Sequence, residues 1–223
     1  MYMDDLKYYG QFVPHVDEEI HKRYFNNTCN GVAIECGAFD GLIDSSCKFF
    51  EENYNWKTIN IEPLPIAFNT LLKNRPNSIN LNIALSNNNE DSVFTNYSHP
   101  LLGDEWGNGS ISHTQKHKDE LVELCGENNY TTTVVKCSTY KEIITKFNIE
   151  HLDLFVLDVE GHEFKVIEGM MDCDILPSVF VIEFGHTEID ELVDKLKCLN
   201  TKYKLDHVSF VNLYFIKENF ESK

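Results

Sequence analysis

Three acidic residues lie within six positions of one another, directly after a long apolar run. They are Asp158, Glu160 and Glu163, and a fourth acid, Glu183, ends the next apolar run along the chain. The carboxyl ends of parallel strands meet at one edge of a sheet, so we expect these acids to lie close together. Clustered carboxylates can take a proton from a reacting hydroxyl or bind a divalent ion. The sequence therefore predicts Asp158, Glu160 and Glu183 as catalytic residues.

Two histidines stand beside these acids and could act as the base in their place. His162 lies between Glu160 and Glu163, and His186 lies in the turn after Glu183. Histidine titrates close to neutral pH, which suits proton transfer. We include His162 among the catalytic candidates, with the alternative that it only begins the following helix. His186 is a candidate of the same kind.

A glycine-containing turn follows the first apolar run. The segment 32–41 reads VAIECGAFDG, which predicts a buried strand that runs into a tight turn. Glycine at positions 37 and 41 permits positive φ and a close approach of the backbone to a ligand. The spacing Glu-x-Gly-x-x-x-Gly differs from the Gly-x-Gly-x-x-Gly of dinucleotide-binding folds. That difference counts against a nicotinamide-dependent oxidoreductase.

An acidic residue also ends the second predicted strand. Glu62 lies 21 residues after Gly41 and directly before Pro63. The two oxygens of a carboxylate can accept hydrogen bonds from both hydroxyls of a ribose. The alternative interpretation is an exposed acid at a strand end.

Apolar, β-branched runs alternate with amphipathic segments along most of the chain. This alternation predicts an α/β fold, a three-layer α/β/α sandwich with a mostly parallel sheet that ends in an antiparallel hairpin. The predicted strands are one that begins at Val32 and the segments 56–62, 79–85, 131–137, 152–158, 178–184, 203–207 and 209–217. The predicted helices are 17–25, 45–53, 65–74, 138–147 capped by Ser138, one that ends at Gly169, and 187–198 capped by Thr187.

Length and pattern favour one domain over residues 1–223, with two distinctive segments. Residues 1–28 predict an N-terminal arm and helix. Residues 87–129 are rich in Asn, Gly, Ser and His, with a short helix expected near 115–125. Irregular segments of this length are usually functional lids or disordered. We interpret 87–129 as an inserted loop or lid that binds the acceptor, the alternative being a disordered insertion.

Composition restricts the partners. Lys and Arg number 19 against 36 Asp and Glu, a net charge of −17, which argues against a nucleic-acid partner. The seven cysteines show no Cys-x-x-Cys pair and predict free thiols in a reducing compartment. The sequence shows no basic and apolar leader and no run of 18 apolar residues, so we expect a cytoplasmic protein with no membrane partner.

Four segments together resemble the FkbM-type family of S-adenosylmethionine-dependent methyltransferases. They are IECGAFDG at 34–41, NWKTINIEP at 55–63, NRP at 74–76 leading to NIALS at 82–86, and LFVLDVEGHE at 154–163. The resemblance implies a Rossmann-like class I methyltransferase fold, with seven strands, the last antiparallel, and the cofactor at the carboxyl ends of the first strands. It also implies the cofactor-binding residues, which are Glu35, Gly37, Ala38, Asp40, Gly41, Ser45, Glu62, Asn82, Ala84, Ser86 and Asp158.

The family resemblance implies transfer of a methyl group from S-adenosylmethionine to a hydroxyl of a small molecule, such as a sugar or glycan. A nucleic-acid or other N-methyltransferase is an alternative, although the Asp/Asn-Pro-Pro-Tyr element associated with base methylation is absent. A catalytically inactive interaction module on the same fold is another. No motif compels a metal, and we expect Glu160 to take the proton. The alternative is Mg²⁺ or Mn²⁺ bound by Asp158 and Glu183.

Overall fold

The computed structural model describes residues 6–104 and 106–221. The first five residues of the predicted N-terminal arm lie outside this described part. The helices are α1 (Val16–Tyr24), α2 (Lys48–Tyr54), α3 (Pro65–Asn74), α4 (Gln115–Cys125), α5 (Tyr140–Lys146), α6 (Glu163–Glu168) and α7 (Ile189–Leu196). The strands are β1 (Val32–Cys36), β2 (Lys57–Ile61), β3 (Ile79–Leu81), β4 (Ala84–Ser86), β5 (Ser92–Tyr97), β6 (Tyr130–Val135), β7 (Cys137–Thr139), β8 (Leu152–Leu157), β9 (Pro177–Glu183), β10 (Tyr203–Ser209) and β11 (Asn212–Lys217).

Seven strands form the central sheet, in the order β10-β11-β9-β8-β1-β2-β3. β3, β2, β1, β8 and β9 are parallel neighbours, whereas β11 runs antiparallel to both β9 and β10. In the middle of the sheet, Ile34 of β1 pairs with Ile59 of β2 and Phe155 of β8. The predicted α/β fold with a mostly parallel sheet and a terminal antiparallel hairpin is confirmed.

The alternation of side chains along β8 explains the three layers. Leu154 and Val156 belong to a buried cluster that includes residues of α1 and α2. Phe155 and Leu157 belong to another, which includes residues of α5, α6 and α7. Successive side chains of a strand point to opposite faces, so a continuously apolar strand requires cover on both sides. Within the described ranges, no helix is both long and apolar enough to span a membrane.

Two predicted strands are each divided in the structure. The segment 79–85 forms β3 in the central sheet and β4 outside it, and β4 pairs with β7 instead. Asn82 lies between them, and its Nδ2 donates to the carbonyl oxygens of Glu62 at 2.9 Å and Pro63 at 3.0 Å. Similarly, 131–137 divides at Lys136, whose carbonyl accepts from the backbone N–H of Ala84. The alternation of apolar and polar residues predicts a strand, but it does not indicate which sheet that strand joins.

Four predicted helix starts were wrong by one to three residues, and the first is α1, which begins at Val16 rather than at 17. Thr139, not Ser138, caps α5, because its Oγ1 accepts from the backbone N–H of Glu142 at 3.3 Å. Ser138 instead donates its hydroxyl to the Glu142 carboxylate. Glu188, not Thr187, precedes α7. The second helix begins at Lys48 rather than 45, since the preceding serines bind a buried carboxylate described below.

The segment 87–129 contains regular structure that the sequence pattern did not reveal. β5 pairs antiparallel with β6 along six residue pairs. α4 begins at the predicted position, with Thr114 as its N-cap. The segment also reaches the central sheet, where Ser110 Oγ donates to the carbonyl oxygen of Val159 at 2.9 Å. We call residues 87–129 the insertion below.

Candidate functional site

Two adjoining cavities lie at the carboxyl ends of β1, β2 and β8. The first, here the Glu62 cavity, encloses about 620 Å³ including its opening. The second, the Glu183 cavity, encloses about 1200 Å³ including its opening. Their linings have five residues in common, which are Gly37, Phe39, Gly107, Asp158 and Glu160. The cavities therefore meet where the predicted glycine turn approaches the predicted acids.

Gly37 is required where the ends of β1 and β8 touch. Its φ is 91°, and a Cβ at this position would lie 1.8 Å from the carbonyl oxygen of Asp158. The backbone N–H of Asp158 also donates to the carbonyl of Cys36 at 3.0 Å. Any larger residue would therefore separate the two strand ends. Gly37 lines both cavities, and its neighbour Ala38 lines the Glu183 cavity.

Asp40 and Gly41 shape the turn and are not among the lining residues of either cavity. The Asp40 carboxylate accepts from the backbone N–H groups of Leu42 and Ile43, both at 2.8 Å. Gly41 has a φ of 74°, and a Cβ there would lie 2.4 Å from Leu71 of α3. These two predicted cofactor-binding residues thus contact the protein itself.

Glu35 lies beneath the turn, and both oxygens of its carboxylate accept hydrogen bonds. It accepts from Ser45 Oγ at 2.9 Å and from the backbone N–H of Ser46 at 2.5 Å. The guanidinium of Arg75 lies 3.6 Å away. Burial raises the pKa of Glu35, although Arg75 and these hydrogen bonds oppose that effect. Glu35 and Ser45 both line the Glu183 cavity, where they hold the turn in place.

Arg75 is the organising cation of this region, a role that sequence reasoning missed. It is 1% exposed and pairs with Glu51 at 2.5 Å. It also donates to the carbonyl of Gly41 and to the hydroxyls of Ser45 and Thr58. In the sequence, the Asn-Arg-Pro segment indicates only the family resemblance. An arginine before a proline gave no independent sign that it is buried.

Glu62 lines the cavity named after it. Within the described residues, its carboxylate accepts hydrogen bonds only from backbone N–H groups. Its two oxygens accept from the N–H groups of Phe39 at 2.9 Å and Leu64 at 2.7 Å. Burial raises the pKa of Glu62 to about 8, and the charge of Asp158 acts in the same direction. Each carboxylate oxygen can accept a further hydrogen bond. The side chain can therefore bind a ligand's hydroxyl groups while it fixes both loops.

The rest of the Glu62 cavity is largely apolar. Its floor includes Ile61, Leu64 and Ala84, and the insertion contributes Phe94 and Ile111. The predicted contacts Asn82 and Ser86 are not among its lining residues. Because the insertion supplies part of the wall, the central sheet alone does not form this cavity.

His162 opens on the Glu62 cavity and is not among the residues that line the Glu183 cavity. Its Nε2 lies 3.1 Å from Ser86 Oγ. Burial lowers the pKa of His162 to about 4, so the ring is neutral near neutral pH. The structure thus brings Ser86 to His162, and neither residue is among those that line the Glu183 cavity.

Asp158, Glu160 and Glu183 converge as predicted, and we call them the acid cluster. Their carboxylate oxygens lie within 4.8 Å of one another. Burial raises the pKa of Asp158 well above its usual value and raises those of Glu160 and Glu183 to about 7. The charge of Glu183 raises the pKa of Asp158 further. Glu163 instead accepts from the N–H of Gly161 at the start of α6.

Two histidines extend the acid cluster. His186 Nε2 lies 3.1 Å from Glu160 Oε2, and His117 Nδ1 lies 3.6 Å from the same oxygen. The two rings stack with their centroids 3.4 Å apart. Burial lowers the pKa of His117 to about 3. Burial also acts to lower the pKa of His186, but its hydrogen bond to Glu160 and the charges of Glu160, Glu120 and Glu163 together outweigh burial and raise it. His117 belongs to α4, so the insertion supplies it to the site.

The comparisons with known proteins agree with this architecture. A model of the FkbM methyltransferase domain matches residues 35–207. Methyltransferase FkbM from Methylobacillus flagellatus KT has a similar structure, with a TM-score of 0.50 at 14% identity over 85% of this chain and 44% of that one. This chain therefore spans less than half the length of that protein. Comparison with curated proteins gave no match.

Two further structures share less of the architecture. M. capricolum TrmK in complex with S-adenosyl-homocysteine has a TM-score of 0.43 at 10% identity, over 92% of this chain and 68% of that one. The precorrin-6y C5,15-methyltransferase of Geobacter metallireducens GS-15 has a TM-score of 0.40 at 12% identity, over 85% and 80%. The family match covers most of the chain and includes the glycine turn, Glu62 and the acid cluster. The chain belongs to the FkbM family of methyltransferases.

Proposed function

We propose that the protein transfers a methyl group from S-adenosylmethionine to a hydroxyl oxygen of a small molecule, such as a sugar or glycan. The observation that carries this proposal is the junction of the two cavities at Asp158 and Glu160. A cofactor in the Glu62 cavity and an acceptor in the Glu183 cavity would meet beside the acid cluster.

The Glu62 cavity fits the adenosine part of this cofactor. The Glu62 carboxylate can accept hydrogen bonds from the ribose hydroxyls while it retains its two backbone donors. Apolar side chains such as Leu64, Phe94 and Ile111 suit a flat aromatic base. The lack of a Cβ at Gly37 leaves the backbone accessible at the junction, where the methionine part would pass.

S-adenosylmethionine supplies an electrophilic methyl group on a positively charged sulfur. The acceptor oxygen forms a bond to that methyl carbon while the bond between carbon and sulfur breaks. An alcohol is a weak nucleophile, so its proton must leave as the new bond forms. The acid cluster lies at the junction to accept this proton, and its net negative charge complements the sulfonium.

The Glu183 cavity suits a polar acceptor that carries hydroxyl groups. The insertion contributes Trp106 and Leu102 to its wall, and Gln11, Ser45 and Asn212 add polar side chains. A flat aromatic surface with nearby hydrogen-bonding groups fits a sugar ring. The strong negative charge of the chain disfavours a phosphate-rich acceptor such as a nucleic acid.

The test is transfer of an isotopically labelled methyl group to a panel of sugars, glycans, phenols, amines and nucleosides. We expect S-adenosylhomocysteine to accumulate only with hydroxyl acceptors, and nuclear magnetic resonance to place the label on oxygen. Label found only on nitrogen would overturn the proposal.

Cofactor binding is tested separately with Glu62→Ala. Each charge-assisted hydrogen bond contributes about 1.5–3 kcal/mol, so affinity for S-adenosylhomocysteine should fall more than about tenfold. Circular dichroism checks that the variant remains folded. Unchanged affinity in calorimetry would remove Glu62 from the cofactor site.

A further inference from the structure

We propose that His117, Glu160 and His186 bind one divalent transition-metal ion, of the class that includes Mn²⁺, Fe²⁺, Co²⁺ and Zn²⁺. Two imidazoles and one carboxylate, carried on three different segments, converge, and the carboxylate residue, Glu160, lines both cavities. A role for the ion in methyl transfer rests on the proposed function. Binding of the ion does not depend on the proposed function.

The distances between the three side chains suit a shared ion. Glu160 Oε2 lies 3.1 Å from His186 Nε2 and 3.6 Å from His117 Nδ1. Ligand atoms about 2.0–2.2 Å from one metal ion lie roughly 3–3.5 Å from each other in tetrahedral or octahedral arrangements. The parallel rings must tilt apart, because their in-plane lone pairs do not point at one position. His186 is the less buried of the two rings.

An unsatisfied nitrogen gives an independent indication of a ligand. The His117 side chain is 6% exposed. Its Nδ1 is buried, with no hydrogen-bond partner among the described residues. Leaving a buried polar atom without a partner is unfavourable for folding. A metal ion beside Glu160 would satisfy it, because the lone pair of a neutral imidazole nitrogen is a metal ligand.

The surroundings of the trio favour a cation. Asp158 and Glu183 lie within 4.8 Å of Glu160, so three carboxylates share one partly dry space. Asp158 Oδ1 is also buried and lacks a hydrogen-bond partner within the described ranges. These two acids can add oxygen ligands or remain as the proton acceptor for an alcohol. Because the trio contains two imidazoles, it should prefer transition metals to Mg²⁺ and Ca²⁺, which favour oxygen ligands.

The origin of the ligands gives the ion a structural consequence. His117 lies on α4 of the insertion, whereas Glu160 and His186 follow β8 and β9 of the central sheet. An ion held by all three would connect the insertion to the sheet edge. Metal binding should therefore raise the melting temperature and protect the insertion from proteolysis, in the absence of any substrate.

The experiment uses the full chain without an affinity tag, stripped of metal by chelation. Calorimetry and electron paramagnetic resonance measure Mn²⁺ binding, and visible absorption reports the ligands of Co²⁺. We expect one ion per chain and weaker binding of Mg²⁺. His117→Ala, His186→Ala and Glu160→Gln should each reduce Mn²⁺ affinity by roughly tenfold or more. His151→Ala is the matched control, because this histidine is 66% exposed and lies outside the trio.

Absence of stoichiometric Mn²⁺ and Co²⁺ binding by the wild-type chain would overturn the proposal, whether or not the variants fold. Binding that survives in both folded histidine variants would also overturn it. Affinity for S-adenosylhomocysteine is measured on the same samples. Cofactor binding without metal binding refutes only the metal site, whereas metal binding without cofactor binding refutes only the proposed function.

Discussion

Replacing Arg75 tests whether one buried cation holds the glycine turn in its folded arrangement. Arg75→Met keeps most of the side-chain volume but removes the charge and all the donors. Glu35 would then be buried without a cationic partner, and the carbonyl of Gly41 and the hydroxyl of Ser45 would each lose a donor. Breaking a buried ion pair by removing one partner costs about 3–5 kcal/mol. The total free energy of unfolding of a typical domain is about 5–15 kcal/mol.

The assay is equilibrium unfolding in urea, followed by circular dichroism. Because the slope for small proteins is about 1–3 kcal/mol per molar urea, we expect the midpoint to fall by more than about 1 M. Lys22→Met is the control, since Lys22 is 63% exposed and its pair with Glu18 lies on the surface. Such pairs contribute about 0–1 kcal/mol. The double variant Arg75→Met, Glu35→Gln should recover part of the loss, because it removes the unpaired charge.

A loss below about 1 kcal/mol for Arg75→Met would refute the reasoning, since it would place Arg75 in the range of surface pairs. If the double variant regained no stability, the unpaired charge of Glu35 would not be the cause of the loss. Where Arg75→Met remains folded, its affinity for S-adenosylhomocysteine should fall, because the turn that carries Gly37 loses its support.

Three further changes test individual parts of the site. The pKa of Glu62 is raised to about 8, so below that pH a proton must leave before the carboxylate can accept ribose hydroxyls. Affinity for S-adenosylhomocysteine should fall by up to about fivefold from about pH 8 to pH 7, and calorimetry on Glu62→Ala should show no such dependence. Gly37→Ala should destabilise the fold by about 1–3 kcal/mol more than Gly103→Ala does. Gly103 is the control, because it has a comparable positive φ but nothing within 4 Å of the added Cβ. Equal urea midpoints for the two variants would contradict this prediction. Trp106→Ala should raise the acceptor KM by about two- to tenfold without altering cofactor affinity, and steady-state kinetics that show an unchanged KM would remove Trp106 from the acceptor site.

The middle of the central sheet could be predicted because strands there must be apolar on both faces. Leu154 and Phe155 are adjacent in the chain yet lie in different buried clusters, so the run 152–157 had no polar face to expose. Outside the sheet, β5 was not predicted, whereas β6 and β7 were predicted as one strand, 131–137. β5 and β6 have several exposed positions, and the sequence pattern did not predict that they pair with each other.

The same difference separates the predicted and the missed site residues. Asp158, Glu160 and Glu183 follow the ends of neighbouring strands, so strand order alone brings them together. His117 contacts Glu160 only because α4 packs over the sheet edge. No local sequence pattern indicates where a helix packs in the fold. Arg75 was missed for a related reason. Its partners Glu35 and Glu51 lie far away in the sequence, and only the tertiary fold brings them to it.

The partners of the buried acids, more than their burial, distinguish their roles. Glu35 binds Arg75, a serine hydroxyl and a backbone N–H, which leaves it suited to holding the turn. Glu62 has neutral backbone donors, and its free lone pairs suit neutral hydroxyl groups. The acid cluster has no lysine or arginine paired with it in the described structure, and its nearest basic groups are the two stacked histidines. Like charges in a partly dry site require compensation, so this cluster is where a cationic ligand, either a sulfonium or a metal ion, would be most strongly attracted.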